Sequence, residues 1–161
     1  MIIDTTTDPF TKVLEALWDV LEAHGGFAGM VKLGNRIKYS NGDGDPEKRE
    51  AQYGDLPEVR IEPAGGGEVS YTSTGIQTTQ NFLVHMVGDD LQIDAAIFPL
   101  KWHIIKAFRR ASGDLDLSFV THVRISDSDE MQDELARGAR RWSGGLSISV
   151  EMYFELDELE F

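Results

Sequence analysis

Apolar and polar residues alternate without a break near the end of the chain. Leu146, Ile148, Val150, Met152, Phe154 and Leu156 share one face, and Ser147, Ser149, Glu151, Tyr153 and Glu155 share the other. Successive strand side chains point to opposite faces, so residues 142–161 predict a long β-strand with one buried face. Six apolar side chains in step predict a central place for it in a sheet.

A helical period governs the start. Asp8 suits an N-cap and Pro9 the first helical position, where no donor is missed. Phe10, Val13, Leu14, Leu17, Val20 and Leu21 then follow helical spacing. Together they predict an amphipathic helix from Pro9 to His24, ended by Gly25-Gly26, with Lys12, Glu15, Asp19 and Glu22 toward water. The same spacing at Leu100, Ile104, Ile105, Phe108 and Ala111 predicts a second helix over Pro99 to Ala111, which Pro99 either begins or kinks after an entry near Ile93, with Arg109-Arg110 at the end that favours cations.

Shorter strands are expected at Pro57 to Pro63, Thr78 to Val87 and Phe119 to Ser126, and short turns or a short strand around Arg36 to Tyr39. The stretch from Asp127 to Arg141 reads as a polar excursion holding a helical turn or more. Turn formers and charges dominate 40–55, and glycine and hydroxyl residues dominate 64–74, so both predict mobile surface loops. The order of elements predicts one α+β domain over 1–161, with a mainly antiparallel sheet of four to five strands and two amphipathic helices on one face.

Composition narrows the function. With 161 residues and 41% hydrophobic content the chain can bury a full core. No cysteine is present, which removes disulfides, thiolate nucleophiles and thiolate metal sites. The first ten residues hold neither a basic n-region nor an apolar h-region, and no run approaches the roughly 18 apolar residues of a spanning helix, so neither export nor membrane insertion is expected. The formal net charge of −13, from 28 acidic and 15 basic residues, disfavours phosphate backbones and anionic lipid.

Catalytic and metal motifs fail on their spacing. Asn41, Asp43 and Asp45 begin like a calcium loop, but Pro46 stands where that loop needs glycine and Gln52 where it needs a bidentate glutamate. The four histidines, His24, His85, His103 and His122, form no zinc-binding pair along the chain. Gly65-Gly66-Gly67 lacks the following lysine of a phosphate loop, and no nucleophile elbow occurs. No enzyme activity and no cofactor are expected. The basic clusters Arg109-Arg110 and Arg137 with Arg140-Arg141 fit acidic surfaces, including those of a second copy, better than nucleic acid.

The helix at Pro9 to His24, the turn-rich stretch ending in Gly34-Asn35-Arg36-Ile37, the strand at Val59 to Glu62, the strand and helix within Phe82 to Arg110 and the closing strand led by Trp142 resemble tail terminator or tail completion proteins of long-tailed bacteriophages. The resemblance spans nearly the whole chain and rests on element order. It implies a structural subunit of the virion tail, assembled in the host cytoplasm as a ring, commonly of six copies, at the head-proximal end of the tail tube. Such a ring ends tube growth and joins tail to head. Its partners would be further copies, the tube protein and head–tail connector proteins, with DNA passing through unbound.

Within that picture Asp43, Asp45, Glu47, Lys48 and Arg49 in the 40–55 loop, the 64–74 segment, and Arg140 and Arg141 are candidate subunit contacts. Glu151 and Glu155 are candidates for a lumen or interface face, or for a plain solvent face. Another connector or baseplate subunit, or a small ligand-binding or regulatory module, remains an alternative.

Overall fold

The Asp8 carboxylate accepts the Thr11 backbone N–H at 2.9 Å and the Thr11 hydroxyl at 2.8 Å. These bonds satisfy donors that a helix start leaves free. The Thr11 backbone N–H is the main influence holding the Asp8 carboxyl below its usual range. Helix α1 (Pro9–Ala23) follows, burying Val13, Leu14, Leu17, Trp18 and Leu21.

The computed structural model describes the backbone of residues 8–38, 57–89, 98–110, 115–127, 131–136 and 139–155, with side chains except at 89, 110, 127, 131–136 and 139–143. After α1 come α2 (Gly25–Met30), a 3₁₀ turn (Leu33–Asn35), β1 (Arg36–Ile37), β2 (Glu58–Gly66), β3 (Ser70–Tyr71) and β4 (Gly75–Asp89). Then follow α3 (Phe98–Arg110), β5 (Val120–Asp127), β6 (Met131–Ala136) and β7 (Ala139–Glu155).

The strands form one sheet in the order β1-β2-β4-β7-β5, with β3 also beside β4 and β6 also beside β7. β1 runs parallel to β2 and the remaining pairings are antiparallel. The architecture is therefore α+β with a mixed sheet. β7 holds the expected central place, between β4 and β5. The β4–β7 ladder keeps one register from Gly75 opposite Glu155 to Asp89 opposite Arg141.

One hydrophobic cluster joins the inner sides of α1, α2 and α3 to Val59, Ile61, Phe82, Val84 and Met86, and to Leu146 through Phe154 on alternate positions of β7. Burial of these side chains contributes on the order of 1.5–3 kcal/mol for each large one. Phe119 stacks on Phe154 with centroids 5.3 Å apart and carries the core to the end of β7.

Three elements depart from the sequence expectation. Helix α1 ends at Ala23, just before Gly25-Gly26 as expected, but these glycines then begin a further short helix, α2, which forms because Phe27 is fully buried and Arg36 reaches back to its end. Arg36 donates to the Val31 carbonyl at 2.8 and 3.1 Å and to the Ala28 carbonyl at 3.3 Å, satisfying terminal carbonyls that glycine alone would leave to water. Residues 131–136, expected within a polar excursion holding a helical turn or more, pair with β7 as β6. The 64–74 segment, expected as a loop, holds the end of β2 and all of β3, and the strand after it starts at Gly75.

A charged corner fixes α1 to β1. Glu22 on α1 accepts Arg36 at 2.8 Å and also pairs with Lys38. The Arg36 guanidinium lies 5.6 Å from the Phe27 ring centroid, and Lys38 lies 5.7 Å from that of Trp18. Burial alone would raise the Glu22 carboxyl, but the bonds from Lys38 and Arg36 outweigh it and hold it below the usual range.

Candidate interaction surfaces and a cleft

Arg60, Glu62, Leu83, His85, Ser149 and Glu151 stand on the sheet face opposite the core, as the strand registers require. Arg60 reaches Glu58 at 3.2 Å and Glu62 at 3.9 Å, and Arg124 lies 3.9 Å from Glu151. Acids and bases therefore interleave across this face. The acidic stripe read along β7 is a feature of that strand, not of the sheet. Glu151 is half-buried and Glu155 is exposed at the end of the ladder.

Beside that end rises an arm. Residues 63–74 are all exposed, yet their backbone is bonded. Ser70 and Tyr71 pair with Gln77 and Ile76, Gly67 N–H donates to the Thr79 carbonyl at 2.9 Å, and Thr72 N–H donates to the Gly75 carbonyl at 2.8 Å. Gly65 takes φ +89°, a backbone state that glycine tolerates, where β2 shifts register between Pro63 and Gly66. The arm presents Val69 at 52% and Tyr71 at 79% exposure, with Glu68 its one charged side chain. A hydroxyl contact of 2.6 Å between Thr74 and Tyr153 fastens its base to β7.

Helix α3 has two unlike sides. Leu100, Ile104, Ala107 and Phe108 enter the core, while Phe98 at 49% and Trp102 at 57% face outward. Lys106 lies 5.8 Å from the Trp102 ring centroid, and Arg109 is exposed one turn further on. The sequence singles out Arg109 as part of a basic cluster, but not this aromatic and basic side as a whole. Its signal was the absence of any acid between Phe98 and Arg110.

A cleft of about 710 Å³ opens between α1, the start of α2, α3 and the turn at Leu115-Asp116, with Ala16, Val20, Ala23, Ala107 and Leu115 as apolar walls and Asp19, His24 and Asp116 as polar lining. Leu115 and Asp116 take φ of 53° and 57°, left-handed states that cost energy for residues other than glycine. At one end His24 Nε2 lies 3.3 Å from His103 Nδ1. One imidazole must donate and the other accept. Burial, then the charge of Lys106 and that of His24, holds the His103 ring below its usual range. A Cβ on Gly26 would run into the His103 ring, so glycine there keeps the two histidines together.

Among the described residues no group of three or more histidine, aspartate or glutamate side chains is placed to hold a metal ion. The histidines stand 79 positions apart, a separation at which spacing along the chain gives no signal. Asp43, Asp45, Glu47, Lys48 and Arg49 lie outside the described residues. The backbone of Arg140 and Arg141 belongs to β7, opposite β6 and β4, and their side chains lie outside the described set. Among the described residues no helix is long and apolar enough to cross a membrane. No family model matches the chain, and no curated protein does.

Proposed function

We propose that the chain is a structural subunit of a phage tail. In this reading it forms a ring, of six copies, at the head-proximal end of the tail tube, ends tube growth there and joins tail to head. The carrying observation is the arm at 63–74, whose backbone is bonded and whose Val69 and Tyr71 side chains stand 52% and 79% exposed. An ordered, nearly uncharged projection with two exposed apolar side chains fits contact with another subunit better than chemistry on a small substrate. The arm is already bonded in the single chain, so docking it costs less ordering entropy than a disordered loop would. The net charge of −13 suits a ring that DNA passes without specific binding, because acidic surface repels phosphate.

Sedimentation across a concentration series, negative-stain imaging and capping of purified tail tubes test this reading. Closed rings that cap tubes, weakened by Tyr71→Asp together with Val69→Asp, are the expected result. A protein that forms no ring and leaves tube ends uncapped overturns it. The cleft favours a second reading, a small ligand-binding module, since its volume lies within the range of ligand sites. A monomer that leaves tubes uncapped and gains thermal stability from a small ligand would favour that one.

A further inference from the structure

The acidic excess is unevenly spread over the two long helices. α3 carries Lys101, Lys106, Arg109 and Arg110 and no acid, whereas α1 carries Glu15, Asp19 and Glu22 against Lys12 alone. Glu22 is committed to Arg36 and Lys38. Glu15 and Asp19 on one helix, and Lys106 and Arg109 on the other, make no ion pair with any described residue.

These charges, unpaired among the described residues, flank two complementary shapes. Asp19 lies on the rim of the cleft, whose apolar walls include Ala16, Val20 and Ala23. Trp102 projects from α3 between Phe98 one turn before it and Lys106 one turn after it. Ala107, which lines the cleft, lies on the buried side of α3, away from Trp102. The aromatic side and the cleft are thus different surfaces of one molecule.

We infer that the cleft of one copy receives Trp102 of a second copy, with Lys106 and Arg109 of that copy set against Asp19 and Glu15. This deepens the ring reading and rests on it for the biological setting. The cleft volume exceeds an indole side chain, and an aromatic anchor in an apolar pocket ringed by charge is the usual form of an energetic centre at an interface. Because two different surfaces meet, the contact is heterologous, and it closes into a ring or runs on as a filament according to the rotation between copies.

The test is sedimentation of the full chain, wild type and variants, at low and high salt. Wild type is expected to self-associate. Trp102→Ala should weaken association by about 30-fold or more, the size of a hot-spot loss. Ala23→Leu, which narrows the cleft without touching α3, should weaken it as well. Asp19→Lys and Lys106→Glu should each weaken association, and the two together in one chain should restore it. Circular dichroism of each variant checks its fold.

Association that Trp102→Ala and Ala23→Leu leave unchanged overturns the contact, and so does a wild type that stays monomeric at millimolar concentration. Duplex DNA binding that Lys106→Glu abolishes, without self-association, overturns it in favour of a nucleic-acid face. If rings still cap tubes when the contact variants are used, the contact fails and the tail reading stands. If the contact holds but builds open filaments that cap nothing, the tail reading fails and the contact stands.

Discussion

The corner at Glu22, Arg36 and Lys38 and the outer side of α3 both carry clustered charge, but they spend it differently. At the corner each charge has partners inside the chain. Arg36 alone joins a carboxylate to two backbone carbonyls, and its side chain is 7% exposed. On α3 Lys106 faces an aromatic ring and Arg109 faces solvent. Charges of the first kind hold the fold. Those of the second kind make no ion pair among the described residues and suit a partner outside the chain.

The deepest cut into this comparison lies beneath both regions. Leu17→Ala on α1 and Ile104→Ala on α3 should each lower stability in urea by about 2–5 kcal/mol, because both side chains are fully buried. Similar losses would show that the inner sides of the helices are equivalent and only the outer sides differ. Next, Arg36→Ala should cost about 3 kcal/mol, since it leaves a half-buried carboxylate and two carbonyls short of a donor. Lys106→Ala should change stability by less than about 0.5 kcal/mol. Equal effects at Arg36 and Lys106 in the same urea series would break the comparison.

A smaller loss, about 1 kcal/mol, is expected for Asp8→Ala, which removes the cap of α1. The smallest effect is a pH dependence. The His103 ring titrates lower in the fold than in the unfolded chain, where it titrates near 6.5, so the unfolded state takes up the proton first and stability falls as pH drops through that value. Thermal midpoints from pH 7.5 to 5 should decline slightly, and His103→Gln should flatten the decline. The depressed Glu22 carboxyl acts in a separate window. Its contribution is present above the usual carboxylate range and is lost as pH falls below it.

Periodicity made much of this fold readable. α1 starts at Pro9 as the Asp8-Pro9 cap implies, α3 lies within one residue of its expected bounds, and the apolar positions of β7 from Leu146 to Phe154 are the buried ones. Each of these signals is local, because a buried face repeats with the period of its own element. The failures share one cause, which is help from a neighbouring element, whose pairing leaves no periodic mark on the segment it supports. α2 needs Arg36 from β1, β6 needs β7, and the arm needs Gln77 and Thr79 of β4 as its partners. The cleft was illegible for the same reason, since its walls come from α1, α2, α3 and the Leu115 turn. The mixed charge of the outer sheet face depends on registers that place Arg60 and Arg124 on the same face as Glu151.

The central place of β7 has a consequence for how the molecule is made. Both long-range ladders, β4–β7 and β5–β7, wait for β7, so the sheet has no middle until the residues from 139 on leave the ribosome. At translation rates of about 5–20 residues per second, β4 stands for several seconds with one edge open, and β5 for a shorter time with no partner. Closing the loop between β4 and β7 then joins segments more than 50 positions apart, a slow step by the measure of contact order. The sheet is thus completed only once β7 has emerged, and chaperone capture of nascent chains, read by ribosome profiling, should concentrate between the emergence of β4 and that of β7.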